Sequence, residues 1–121
     1  MQAKVVKPSP DREFFTSERC FILELSNSMA DETLSIARVR VEPAVTTERH
    51  SLEATDERYV ILEGKGEVEL GGQPPQRVGA GDVVLIPGDL QQRITNTGDT
   101  DLVFLALCTP RFRPEKYRSL E

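Results

Sequence analysis

Residues 81–96 read GDVVLIPGDLQQRITN. An apolar run at 83–86 is followed by Pro-Gly-Asp at 87–89 and then by a second short run at 93–95. Proline has no N–H to give to a sheet, and glycine adopts backbone conformations that end an extended strand. The stretch therefore predicts two short β-strands joined by a turn.

The same alternation of short apolar runs and turn residues extends over the rest of the chain from residue 20. The other runs lie at 20–25, 35–41, 58–62, 67–70 and 102–108. None continues with the 3.6-residue period and the capping residues of a helix, so long helices are not expected. Many short strands at this spacing are typical of a β-sandwich or β-barrel, and the predicted class is all-β. Gly71-Gly72 predicts a hairpin turn after the run at 67–70.

Composition and charge exclude several classes of partner. The 121 residues are enough for one domain with its own core. The net charge is -5 and no dense Lys/Arg run occurs, so we expect no nucleic-acid partner. No apolar stretch is long enough to span a membrane, and the opening residues have no apolar leader, so we expect a cytoplasmic protein without a membrane partner. Cys20 and Cys108 lie in apolar runs and are expected to be buried free thiols.

The chain is expected to form one domain with an arm at each end. The barrel is predicted at residues 20–109, where the apolar runs lie. Residues 1–19 form an N-terminal arm, which is either part of the barrel domain or a dimer contact. Residues 110–121 form a C-terminal arm, in which Phe112 and Tyr117 are expected to pack on the barrel.

The segment at 43–64 resembles the first of two sequence motifs of the cupin superfamily. That motif has the form G-x5-H-x-H-x3,4-E-x6-G, and this chain matches it with His50, Glu57 and Gly64. Leu52 stands where the second histidine belongs. The match therefore covers the spacing of the motif and part of its histidine set.

The stretch quoted at the start resembles the second cupin motif, G-x5-P-x-G-x2-H-x3-N. Gly81, Pro87 and Asn96 are in register with it. Asp89 replaces the second glycine, and Gln92 replaces the histidine. Together the two segments imply a double-stranded β-helix, the jelly-roll barrel of cupins.

In metal-binding cupins, the histidines and the glutamate of these motifs are ligands that point into the barrel. Carried over residue by residue, the resemblance implies His50, Glu57 and Gln92 as ligands of a divalent metal ion. One imidazole with a carboxylate and an amide suits Mn, Zn, Fe or Ni among such ions. With one histidine, the chain lacks the two-histidine facial triad of non-haem iron oxygenases.

The two-residue period of strands indicates candidate walls for a pocket inside the barrel. If Glu57 points inward, the side chain two residues further on does so too. The candidate substrate-binding residues are Val39, Val41, Leu52, Tyr59 and Phe104. An apolar lining around a few polar groups is typical of a site for a small organic molecule.

Three functions are compatible with these residues. A metal-dependent cupin would hold its ligand at His50, Glu57 and Gln92 and carry out lyase, isomerase or oxidative chemistry. A metal-free enzyme would use His50 as catalytic acid or base, oriented by Glu57. A non-catalytic ligand-binding or structural cupin would keep the same side chains as a hydrogen-bonded interior. One barrel supports many chemistries, so the fold does not choose among them. The resemblance also implies a homodimer.

Overall fold

Eleven short strands and two single-turn 3-10 segments make up the computed structural model, which describes residues 1–121. The strands are β1 Phe14–Phe15, β2 Phe21–Ser26, β3 Ser35–Val41, β4 His50–Leu52, β5 Asp56–Glu63, β6 Lys65–Leu70, β7 Gln76–Gly79, β8 Val83–Ile86, β9 Gln92–Asn96, β10 Leu102–Thr109 and β11 Tyr117–Ser119. The 3-10 segments are Pro10–Arg12 and Pro114–Lys116. No helix has the length and hydropathy of a membrane span. The predicted all-β class is confirmed.

The strands form two antiparallel sheets. The larger sheet has the order β1-β2-β3-β10-β5-β8, and the smaller sheet has the order β11-β4-β9-β6-β7. On the larger sheet, Phe104 of β10 lies opposite Val39 of β3 and Ile61 of β5. Paired residues point to the same face of a sheet, and all three are buried. The two sheets therefore enclose a common interior, which confirms the predicted jelly-roll barrel.

The connection from β8 to β9 has the turn chemistry that its sequence predicts. Asp89 adopts a φ of +68°, a left-handed conformation that aspartate tolerates better than most residues. Gly88 lies close to another part of the backbone, because a Cβ there would lie 3.0 Å from the backbone nitrogen of Thr55. This close approach packs the turn against the residues that lead into β5.

The hairpin predicted at Gly71-Gly72 is present, but its connection is longer than a two-residue turn. β6 and β7 pair antiparallel, and residues 71–75 join them. Gly71 has a φ of +57° and begins the turn. Pro74 and Pro75 follow, and neither has an N–H with which to extend the ladder. Pairing therefore resumes only at β7.

Residues of both arms contribute strands to the sheets. β1 pairs with β2, and β11 pairs with β4, where Ser119 lies opposite His50. The guanidinium of Arg19 donates to both carboxylate oxygens of Glu121, at 3.1 and 2.9 Å, and so links the two arms. Strands of two or three residues are too short to show a period, which is why the sequence did not predict them. These short elements form part of the walls of the site described below.

The core consists of inward-facing apolar side chains from both sheets. Its members are Cys20, Val39, Val41, Tyr59, Ile61, Val68, Val84, Ile86, Ile94, Leu102, Phe104 and Ala106. Both cysteines of the chain are buried free thiols, as expected. Part of this cluster borders a cavity, so the core also supports the candidate site.

Candidate functional site

A cavity of about 270 Å³ is lined by strands of both sheets. Its walls come from β1, β2, β3, β5 and β10 of the larger sheet and from β4 and β11 of the smaller one. Most of the lining residues are hydrophobic, and a few polar side chains converge among them. A largely apolar cavity with few polar groups is the usual form of a small-molecule site.

Most of the residues predicted from the sequence lie on this cavity, and two do not. The lining includes His50, Glu57, Val39, Leu52, Tyr59 and Phe104. Val41 is fully buried in the core and does not reach the cavity. Gln92 is 2% exposed and lies behind the wall, where it contacts the cavity residues Glu57 and Tyr59.

His50 is held at the start of β4 with one ring nitrogen bonded and the other free. Its Nδ1 lies 2.9 Å from the carbonyl oxygen of Glu48. A carbonyl only accepts, so Nδ1 carries the proton and Nε2 keeps its lone pair. The ring of Tyr117 stacks on the imidazole at 4.8 Å with an angle of 17°. Burial lowers the pKa of His50, so the neutral form is favoured.

Glu18 is the functional residue that the sequence did not reveal. It lies in the turn between β1 and β2, where its backbone N–H donates to Thr16 Oγ1 at 3.1 Å and its carbonyl accepts from the N–H of Glu48 at 3.0 Å. Its carboxylate lines the cavity, with Oε1 4.0 Å from Nε2 of His50. Burial, followed by the nearby charges of Glu57 and Glu48, raises the pKa of Glu18 to about 7.

The sequence around Glu18 gives no indication that its side chain lines a cavity. A glutamate followed by Arg19, between two short strands, has the composition of an ordinary solvated turn. The chain fold alone brings Glu18 to the cavity.

Glu57 belongs to a chain of buried hydrogen bonds. Nε2 of Gln92 donates to Glu57 Oε1 at 2.8 Å, and the hydroxyl of Tyr59 donates to Oε1 of Gln92. The thiol of Cys108 contacts the other Glu57 oxygen at 3.6 Å. Burial raises the pKa of Glu57 to about 7, although the hydrogen bond from Gln92 opposes this rise. Glu57 is therefore hydrogen-bonded to Gln92 rather than to His50.

In this arrangement the three predicted metal ligands do not form a coordination set. The Gln92 oxygen needed for a metal accepts the Tyr59 hydroxyl, and its nitrogen is bonded to Glu57. Leu52 occupies the place of a second histidine ligand. No three or more His, Cys, Asp or Glu side chains in the structure are grouped so that they would hold a metal ion. The donor set present therefore does not fit a metal.

The cavity instead presents a proton acceptor beside a proton donor. Nε2 of His50 is unprotonated and receives no hydrogen bond. The carboxyl of Glu18 has no hydrogen-bond partner either, and its raised pKa keeps it partly protonated near neutral pH. Titratable groups with shifted pKa values inside an apolar cavity are typical of acid–base catalysis.

One curated protein shares clear sequence similarity with this chain. It is an oxalate-binding protein from Thermotoga maritima, 34% identical over 80 residues. The alignment covers 66% of this chain, and the chain spans 65% of the length of that relative.

Solved structures share the architecture. A protein described as a predicted oxalate decarboxylase from Thermotoga maritima has 28% identity and a TM-score of 0.77, with 88% of this chain and 99% of that chain covered. The nucleoside dehydratase Pac13 from Streptomyces has 15% identity and a TM-score of 0.80, with 98% and 92% covered. KdgF from Halomonas sp. has 19% identity and a TM-score of 0.74, with 85% and 88% covered. The last two likenesses concern the fold alone.

A protein-family comparison agrees with the barrel and with the motif spacing. The family described as Cupin domain matches residues 37–108, which is more than half of the chain. The match includes the strands that carry His50, Glu57 and Gln92. Since the fold, the motifs and the family match coincide, this chain belongs to the cupin family.

Proposed function

We propose that this cupin binds a small organic molecule in its cavity and catalyses a metal-free acid–base reaction on it, of the lyase or isomerase type. His50 is the proton acceptor and Glu18 is the proton donor. The observation that carries the proposal is the 4.0 Å pair formed by His50 Nε2 and Glu18 Oε1, two groups without hydrogen bonds that face one cavity.

His50 removes a proton from the substrate in the proposed reaction. The carbonyl of Glu48 and the ring of Tyr117 hold the imidazole so that Nε2 faces the cavity. When Nε2 takes a proton from a substrate carbon or oxygen, the imidazolium that forms is stabilised by the carboxylates nearby. Glu48 and Tyr117 are positioning residues, since they act through the ring.

Glu18 returns a proton to the substrate. With a pKa of about 7, its carboxyl is protonated in a large fraction of molecules at neutral pH. It donates to a leaving oxygen in an elimination, or to a second carbon in an isomerisation. A shift of about 1 Å would bring His50 and Glu18 to hydrogen-bond distance, so the proton gained by one residue can restore the other. Protons taken and given balance over the cycle.

The relatives support the binding of a small molecule and, at the level of fold, a lyase-type activity. The relative named as oxalate-binding supports the binding of a small molecule. Pac13 is described as a dehydratase, a lyase-type activity, on a barrel that covers 98% of this chain. At 15% identity this is an analogy of fold, and one fold supports many chemistries.

The metal-dependent alternative makes a separate prediction. It requires Gln92 Oε1 to leave the Tyr59 hydroxyl and turn toward an ion near His50. Metal analysis of untagged protein incubated with Mn²⁺, Zn²⁺, Fe²⁺ and Ni²⁺ tests it. We expect equal metal content in wild type and in His50→Ala. Stoichiometric metal in wild type alone would support the metal-dependent enzyme instead.

Proton transfer to and from a bound ligand tests the proposed function directly. Hydroxyl-bearing compounds that raise the melting temperature would be incubated with the protein in D₂O, and exchange or turnover would be followed by NMR. We expect His50→Gln to lower the rate by at least about 100-fold. Glu63→Gln, which alters an exposed carboxyl on β5, serves as the matched control. Wild-type rates in His50→Gln would refute the assignment.

A further inference from the structure

The charged side chains of the cavity lining are all acidic, and its single histidine is neutral. Glu18, Glu24 and Glu57 line the cavity, and no lysine or arginine does so. The arginines on β3 instead pair with Glu13, outside the cavity. An anion that entered the cavity would lose its hydration and meet carboxylates, with no cation to compensate it.

The cavity presents two acceptors that no group of the protein satisfies, whereas both of its tyrosine hydroxyls already donate within the protein. The hydroxyl of Tyr59 donates to Gln92, and that of Tyr117 donates to Oε1 of Glu48 at 2.6 Å. The carboxylate of Glu18 and Nε2 of His50 receive no hydrogen bond from the protein. A ligand that satisfies these free acceptors must bring its own N–H or O–H groups.

Aromatic rings form much of the remaining wall. Five of the seven Phe and Tyr residues in the chain line the cavity, namely Phe14, Tyr59, Phe104, Phe112 and Tyr117. The Tyr59 and Phe104 rings pack at 4.3 Å between centroids. Such walls favour a flat or apolar ligand body. The volume of about 270 Å³ is close to the lower end of the range for small-molecule sites, which suits a ligand built on one ring.

We infer that the ligand of this cavity is a ring-sized organic molecule that carries hydroxyl or amino donors and no negative charge, and that the site rejects carboxylates, oxalate included. The inference rests on the proposed function because it concerns the same cavity. It differs from what the name of the oxalate-binding relative would imply for this chain.

Three ligands with the same ring and different charge test the inference. Benzyl alcohol is neutral, benzylamine is a cation and benzoate is an anion, and oxalate is added as a fourth probe. Binding to the wild-type protein at pH 8 would be followed by NMR through the backbone amides of lining residues such as Ala106. We expect benzyl alcohol or benzylamine to bind at least about tenfold more tightly than benzoate or oxalate, a difference of about 1.4 kcal/mol.

Variants and changes of pH test whether the carboxyl groups cause the discrimination against anions. Glu18→Gln should improve benzoate binding relative to benzyl alcohol, whereas the control Glu63→Gln should not. Because the pKa values of Glu18 and Glu57 are about 7, discrimination against benzoate should be weaker at pH 6 than at pH 8. Benzoate or oxalate binding as tightly as benzyl alcohol, or no binding of any donor ligand, would overturn the inference.

The same measurements on His50→Gln separate this inference from the proposed function. Ligand selectivity is a property of charge and needs no proton transfer. If the wild-type protein binds the ligands selectively but exchanges protons no faster than His50→Gln, the proposed reaction is refuted and the inferred ligand class is retained. If a carboxylate ligand undergoes exchange that depends on His50, the proposed reaction is retained and the inferred ligand class is refuted.

Discussion

Replacing Glu18 by glutamine is expected to make the stability of the protein less dependent on pH. Burial in the cavity raises the pKa of Glu18 from its ordinary value of 4.5 to about 7. The folded chain therefore keeps a proton that the unfolded chain releases between these two pH values. Stability falls as pH rises through this window, because the unfolded state binds fewer protons than the folded state. Glutamine has no such proton to lose.

The size of the effect follows from the two pKa values. Between pH 5 and pH 7, the free energy of unfolding should fall by about 2 kcal/mol because of Glu18 alone. The pKa of His50 is lowered by burial, so its contribution rises with pH and has the opposite sign. Burial is the largest cause of this lowered pKa, so most of that contribution is retained in the variant. Between pH 5 and pH 7, the free energy of unfolding of Glu18→Gln should therefore rise by about 2 kcal/mol relative to that of wild type.

Urea unfolding at pH 5, 6, 7 and 8 would measure this difference. Far-UV circular dichroism is the suitable signal, since the chain has no tryptophan. Glu63→Gln is the control, because its carboxyl is exposed and lies outside the cavity. If the Glu18→Gln difference stays constant within about 0.5 kcal/mol over this range, the Glu18 carboxyl is not desolvated. Its proposed role as proton donor would then lose its basis.

Three further predictions concern the hydrogen bonds and the turn that shape the site. Tyr59→Phe removes the donor to Gln92 Oε1 and should lower the free energy of unfolding by about 1–3 kcal/mol in urea titrations; an unchanged midpoint would contradict the buried hydrogen bond. Gly88→Ala should cost about 1–3 kcal/mol, because its Cβ would press on backbone 3.0 Å away, whereas Gly72→Ala has nothing within 4 Å and should stay within about 0.5 kcal/mol. His50 is the single histidine, so its ring ¹⁵N signals should report the Nδ1–H tautomer and a pKa below 6.5. A dominant Nε2–H tautomer would exclude His50 as the base at rest.

The strands could be predicted because the forces that form them are local. The runs at 35–41 and 83–86 have the bounds observed for β3 and β8. Their β-branched and apolar composition and their flanking turn residues act within a few positions of each other. β4 and β11 could not be predicted in this way. Each has three residues and exists because it pairs with a strand that is distant in sequence.

The candidate site was only partly visible in the sequence. Motif spacing predicted His50 and Glu57 as site residues, and both line the cavity. The same spacing suggested Gln92 as a ligand, but its side chain is bonded to Glu57 and to Tyr59, which is 33 residues away. Glu18 had no signal at all, because the sequence of a turn does not show whether a carboxyl faces a cavity or the solvent.

By itself, the sequence determined the β class, the turns and the cupin motif positions, because backbone preferences and side-chain alternation depend on neighbouring residues. Only the tertiary structure decided that Glu18 lies 4.0 Å from His50 and that Gln92 turns away from the cavity. Desolvation and charge act through space, so they depend on which distant residues share one cavity. That sharing places three carboxyl groups and the single imidazole around one cavity, an arrangement that motif spacing does not indicate.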